Sequence, residues 1–91
     1  MPTSPTTEIT MTGPVARAVA RATTEFLSAG HGAIDRFEVI VTTGADTCEV
    51  IFVPEPDPGA TTRGGQSSAG REMHFWVSTA DGELLKSSFA R

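Results

Sequence analysis

The stretch 71–91, REMHFWVSTADGELLKSSFAR, constrains the fold more tightly than any other part of this chain. Asp81-Gly82 stands between two segments that carry apolar residues, and Asp-Gly in that setting is the strongest short-range hairpin signal. The simplest turn it predicts is a two-residue type I′ turn, which needs positive φ at both central residues. Before the turn, Met73, Phe75 and Val77 alternate with His74, Trp76 and Ser78, the period of a strand with two different faces. After it, the spacing places Leu85 and Phe89 on one face and Leu84 on the other.

Upstream, Gly13-Pro14 opens a helix, since Pro is favoured where its missing N–H would lack a partner anyway. Val15, Val19, Ala22 and Phe26 recur at helical spacing, with Leu27 widening the stripe and Arg17, Arg21 and Glu25 lying outside it. Gly30 and Gly32 tolerate positive φ and predict the stop, giving a helix over 14–30. A first strand is predicted over 35–43, with Phe37, Val39 and Val41 on one face and Glu38, Ile40 and Thr42 on the other. Gly44-Ala45-Asp46 makes the turn into a second strand over 47–53, where Cys48, Val50 and Phe52 oppose Glu49, Ile51 and Val53. Residues 54–70 then form a long polar loop, rich in Pro, Gly, Ser and Thr. The predicted architecture is α+β: one N-terminal helix packed on a curved four-stranded antiparallel sheet, an α-β-β-β-β meander in one domain spanning 13–91. Residues 1–12, with five Thr, two Pro and little bulky apolar content, read as a flexible tail. The alternative for that tail is an edge contact made by Ile9 and Met11.

A chain of 91 residues buries one thin core, so its stability is expected to be marginal unless a partner or a second copy covers part of the sheet. The net charge is −4 and the seven Lys and Arg are scattered singly, which argues against a nucleic-acid partner. No apolar run approaches the roughly 18 residues of a membrane-spanning helix. The first residues lack the basic start and apolar centre of a secretory signal, so the expected location is cytoplasmic.

Catalytic and ligand chemistry is sparse. Cys48 needs an adjacent base to act as a nucleophile, and its alternating strand position is that of a small buried residue. His31, between two glycines, reads as an exposed loop residue, and no HxxxH or CxxC spacing marks a metal site. Glu55 and Asp57 are too few and too broken by Pro for a calcium loop. Gly64-Gly65 lacks the Lys of a phosphate loop. No cofactor and no catalytic set is predicted.

The informative residues share one parity. If Met73, Phe75 and Val77 face the helix, His74 and Trp76 face away from it with Ile40, Ile51 and Val53. One helix covers one side of a sheet, so a Trp-centred apolar patch is left open, and Trp is enriched at binding hot spots. The competing reading reverses the register and buries Trp76 against the helix. The candidate partner-binding set is Trp76, His74, Ile40, Ile51 and Val53, with Arg63 from the long loop.

The stretches AVARATTEFLSAG, RFEVIVTTGADTCEVIFVPEP and HFWVSTADGELLKSS together resemble the small bacterial domains of the NTF2-fold immunity or PepSY-like (cystatin-like) kind. Those families run a helix, a curved meander and a last Asp-Gly hairpin. The chain departs from them in having Cys48, Val50 and Phe52 where the immunity pattern tends to carry a Trp, and in the length of loop 54–70. The resemblance implies a non-catalytic protein-binding domain, one that neutralises a toxin or binds and inhibits a peptidase. An acidic chain suits a basic partner, toxin or enzyme, because complementary charge speeds association. Two alternatives are a homodimeric NTF2- or cystatin-like domain with a ligand pocket between helix and sheet, and an accessory subunit of a bacterial or phage assembly. The pocket would require a titratable group, for which Asp35, Glu38, Glu49 and His74 are candidates.

Overall fold

The computed structural model describes residues 6–30, 32–57, 66–67 and 69–89. Helix α1 spans Gly13–Ala29, followed by a 3-10 turn at Ile34–Arg36. The strands are β1 Phe37–Thr43, β2 Thr47–Pro54, β3 Gln66–Ser67, β4 Gly70–Arg71, β5 Met73–Ser78 and β6 Leu84–Phe89. The predicted α+β class is observed: β1, β2, β5 and β6 form one antiparallel sheet in that order, and α1 packs on one face of it.

Helix α1 begins where the backbone donors of its first turn find a partner. Thr12 is the N-cap, and its Oγ accepts from the Val15 N–H at 3.4 Å. At the other end Gly30 adopts φ 71°, a left-handed conformation, and donates its N–H to the Leu27 carbonyl. Ala18, Ala22 and Phe26 are buried, with Val15 and Val19 partly buried beside them. The two alanines let the helix lie close to the sheet, and Phe26 fills the space beyond them.

The sheet register follows the alternation. Val39 lies opposite Phe52 and Val41 opposite Val50, while Cys48, Val50 and Phe52 lie opposite Val77, Phe75 and Met73. These side chains share the face that meets α1; Cys48, Val50, Phe52, Met73, Phe75 and Val77 form the core with Ala18, Ala22 and Phe26, Val41 packs against it partly buried, and Val39 at the edge is exposed. Three aromatic contacts organise it. Phe26 stacks on Phe52 with centroids 4.4 Å apart, Phe52 meets Phe75 edge-on at 5.6 Å, and Phe26 meets Phe37 edge-on at 4.9 Å. Among the described residues no polar or charged side chain is buried.

Three expectations are corrected in detail. The first strand starts at Phe37 because residues 34–36 wind into the 3-10 turn, where the Arg36 N–H donates to the Ala33 carbonyl. Part of the expected loop 54–70 is ordered as the β3–β4 ladder, pairing Gln66 with Arg71 and Ser67 with Gly70. Gly32 has φ 136°, and a Cβ there would lie 2.6 Å from the Ala69 carbonyl oxygen, so this approach requires glycine. The β5–β6 connection is not a type I′ turn either. Gly82 alone has positive φ, at 75°, and the strands are joined by residues 79–83. The Gly82 N–H donates to the Ser78 carbonyl, the Ser78 N–H donates to the Glu83 carbonyl, and Asp81 Oδ1 accepts from the Glu83 N–H at 3.0 Å. That last bond heads the causes that hold the Asp81 carboxyl below its ordinary range, with a smaller contribution from Ser78.

The register of β6 also differs from the alternation. Trp76 lies opposite Lys86 but Val77 lies opposite Leu84, so a bulge leaves Leu85 as the extra residue. One inserted residue reverses parity, which puts Leu84 and Phe89 together on the helix side and leaves Leu85 exposed. Arg17 of α1 spans this corner. Its Nη2 donates to the Thr79 carbonyl at 2.9 Å, and a Cβ on Gly82 would lie about 3.0 Å from its side chain.

Among the described residues no helix is long and apolar enough to cross a membrane. Residues 6–12 are exposed and outside helix and strand, yet Ile9 and Met11 line a groove with Val15, Val39 and Val41.

Removing the ring that joins both layers should cost far more than removing an equally large surface residue. Phe52→Ala is expected to lower unfolding free energy by about 3–5 kcal/mol, against less than about 0.5 kcal/mol for exposed Leu27→Ala, measured by urea denaturation.

Candidate functional site

The sheet face turned away from α1 carries its own row of side chains. Ile40 lies opposite Ile51, Ile51 opposite His74 and His74 opposite Ser88. Beside that row run Thr42, Glu49, Trp76 and Lys86, each opposite the next. His74, Trp76, Ile40, Ile51 and Val53 therefore share the face that parity assigned them, and Trp76 does not pack against the helix. Val53 differs from the rest in being 7% exposed, so it supports the face more than it presents itself. Arg63 and His31 lie outside the described residues.

The centre of this face is a carboxylate–imidazole–carboxylate cluster. His74 Nδ1 is 2.7 Å from Glu49 Oε2, and His74 Nε2 is 2.7 Å from Glu72 Oε2. All three side chains are largely shielded, between 18% and 26% exposed. Ionised carboxylates only accept hydrogen bonds, so an imidazole held by two of them has to donate from both nitrogens. The ring is thereby stabilised as the imidazolium. Desolvation, the largest single influence, pulls the His74 pKa down; the hydrogen bonds and charges of Glu49 and Glu72 together outweigh it and raise the pKa above its ordinary 6.5. The strands explain the placement. Glu72, His74 and Trp76 are spaced by two, and Glu49 reaches His74 along the diagonal from its place opposite Trp76.

Trp76 is held between polar neighbours. Its ring lies 5.8 Å from the His74 ring at an interplanar angle of 23°, and Lys86 Nζ sits 4.4 Å from its centroid. A cation over an indole contributes on the order of 0.5–1 kcal/mol where water has access. Alternation alone pointed to His74 and Trp76. Glu72 shares their parity and was legible by the same rule, whereas Lys86 comes opposite Trp76 only through the β6 bulge.

The other candidates are placed apart from a helix–sheet pocket. Glu38, Glu49 and His74 are on the far face, Asp35 is exposed in the 3-10 turn, and the aromatic contacts fill the layer between α1 and β2. Cys48 is fully buried, and burial pushes its thiol pKa up, away from the thiolate a nucleophile needs. Among the described residues no group of three His, Cys, Asp or Glu is arranged to hold a metal ion.

No protein-family model, no curated protein and no solved structure matches this chain.

The cluster makes a signed prediction about pH. The folded chain binds the His74 proton more tightly than the unfolded chain, so its stabilisation is complete below the ordinary pKa of 6.5 and fades as pH rises through the raised folded value. The stability gap between the native chain and His74→Gln should shrink from pH 6 to alkaline pH, measured by urea midpoints. A gap that widened with pH would mean that the site holds neutral imidazole.

Proposed function

We propose that this chain is a non-catalytic protein-binding module that inhibits or neutralises a partner protein through the sheet face opposite α1. The observation that carries this reading is the one-sided covering of the sheet. The helix seals the face of Val50, Phe52 and Phe75, while Ile40, Ile51 and Trp76 stand on the other, where no helix packs among the described residues. A rigid indole, already oriented by His74 and Lys86, loses little conformational freedom on binding, which favours its use as an anchor. The surrounding polar groups supply specificity more than affinity.

Charge supports a basic partner. Glu38, Glu49 and Glu72 stand on this side of the sheet against Lys86 and the imidazolium of His74, and the whole chain carries −4. The helix-plus-meander order is what an NTF2-fold immunity or PepSY-like domain would have. Membership of that family, an inhibitory role and a cytoplasmic setting are parts of the same proposal. A half-buried Trp76 on the face away from the helix, on the side where Ile40 is exposed, is consistent with them, as is a core without buried polar groups among the described residues.

Trp76→Ala tests the reading. The variant is expected to keep its circular dichroism spectrum and urea midpoint within about 1 kcal/mol of the native chain, because Trp76 lies outside the core. Its affinity for a partner identified by affinity capture should fall about thirtyfold or more by isothermal titration. A partner that binds both chains equally, or a variant that fails to fold, would sink the assignment of Trp76 as the anchor.

A further inference from the structure

The two edges of the main sheet are protected very unequally. The β6 edge has a bulge beside Leu84–Leu85 and carries Lys86, Ser87 and Ser88, features that discourage another strand from pairing. The β1 edge has no Pro, no Lys and no bulge, and its single charge is Glu38. Val39 and Ile40 of that strand are 42% and 48% exposed. Ile9, Met11, Val15, Val39 and Val41 line a groove of about 450 Å³ along its helix side. Four of the seven exposed large hydrophobics among the described residues (Ile9, Met11, Val39 and Ile40) therefore gather at one edge.

The backbone along that edge can be assigned. The Gly44 N–H donates to the Thr47 carbonyl at 2.8 Å, and the Glu55 N–H donates to the Arg36 carbonyl at 2.9 Å. Antiparallel ladders alternate, so Glu38, Ile40 and Thr42 turn their backbone groups toward β2. Phe37, Val39, Val41 and Thr43 turn theirs outward, and among the described residues no strand pairs with them.

We propose that the β1 edge is a homodimer seam, in which two copies of this chain pair β1 with β1 antiparallel about a two-fold axis at Ile40. The strand is self-complementary in that register. Phe37 meets Thr43 and Val39 meets Val41 of the second copy: Val39 and Val41 exchange both backbone bonds, and the Phe37 carbonyl accepts from the Thr43 N–H, the Phe37 N–H already donating to the Ile34 carbonyl of its own 3-10 turn. Glu38 meets Thr42, so no carboxylate faces a carboxylate. Moving the axis to Val41 would set Phe37 against Ala45 of the β1–β2 turn and shorten the ladder. The axis is perpendicular to the sheet, which keeps both helices on one side and joins both open faces on the other. Ile51, Ile40 and their two symmetry mates then form one continuous apolar row. The two grooves lined by Val39 and Val41 meet on the helix side. Ile40 belongs to both surfaces, but Trp76, the proposed anchor of partner binding, lies two strands away, so self-association is read without any partner present.

The test uses the full chain in analytical ultracentrifugation over a range of concentrations. The native chain is expected to dimerise reversibly. Ile40→Lys places two ammonium groups at a non-hydrogen-bonded pair, about 4.5–5.5 Å apart at Cβ, and should weaken the dimer at least about tenfold. Mixing Ile40→Lys with Ile40→Glu should restore a heterodimer, which happens only if residue 40 faces itself. Ile40→Cys keeps a compact apolar side chain and should cross-link into a covalent dimer under mild oxidation, whereas Thr42→Cys should not; the native Cys48 is buried and silent. A native chain monomeric at every concentration would overturn the proposal. So would a dimer indifferent to both charged variants, or cross-linking of Thr42→Cys in preference to Ile40→Cys.

Discussion

The stack of Phe26 on Phe52 is the contact on which the rest of the structure depends. It joins the only long helix among the described residues to the central strand pair, and the other core aromatics are positioned from it, Phe37 against Phe26 and Phe75 against Phe52. A chain this small has one thin apolar layer, and three ring contacts concentrate burial where helix and sheet are closest. Ala18 and Ala22 matter for the same reason: larger side chains there would hold α1 away from the sheet and open the stack. Everything outside this layer is positioned by it. Among the described residues the one long helix is used on the other side of the sheet, which leaves this face without a helix.

Much of this was legible in the chain itself. The helix stripe from Val15 to Phe26 and the alternations through β1, β2 and β5 are direct consequences of periods of 3.6 and 2; they set Trp76 on the face opposite Phe75 and left open which of the two faces meets the helix, which the packing of α1 decides. The β5–β6 corner was not legible in the same way. Asp81-Gly82 correctly marked a reversal, but a dipeptide cannot specify loop length. The five-residue connection is decided by the Ser78–Glu83 pairing, the Asp81 bond to the Glu83 N–H and the Arg17 side chain lying over Gly82. The β6 bulge then reverses the parity of everything after it, which is why Leu84 and Phe89 ended on the helix side and Lys86 opposite Trp76. Local pattern carries faces; long-range contacts decide where a pattern slips.

The Glu49–His74–Glu72 cluster shows the same division. Sequence parity puts Glu72, His74 and Trp76 on one face, but only the β2–β5 register brings Glu49 diagonally within 2.7 Å of the imidazole. The consequence is an imidazole whose protonated form is favoured by the two carboxylates beside it, with an indole lying across it. Held between the two carboxylates, the protonated ring offsets one of their two charges and so reduces their mutual repulsion. A Trp oriented by such a cluster is a firmer surface than a Trp on an otherwise apolar sheet, since its rotamer is set by charged neighbours as well as by packing.

Face and edge are separate consequences of one shortage. With apolar material sufficient for a single layer, the chain leaves both the outer face of β2 and β5 and the outer edge of β1 without cover from its described residues. They differ in what can occupy them. An edge offers backbone donors and acceptors in strict alternation, so it selects for another strand, and the symmetric residue pattern about Ile40 selects for a copy of itself. A face offers side chains, here an indole framed by imidazolium, ammonium and carboxylates, so it selects for a shape and a charge. Because Ile40 belongs to both, pairing at the edge would extend the face into one apolar row shared by two subunits and present two Trp-centred patches on the same side. A partner able to engage both would gain affinity from geometry alone, without any new contact.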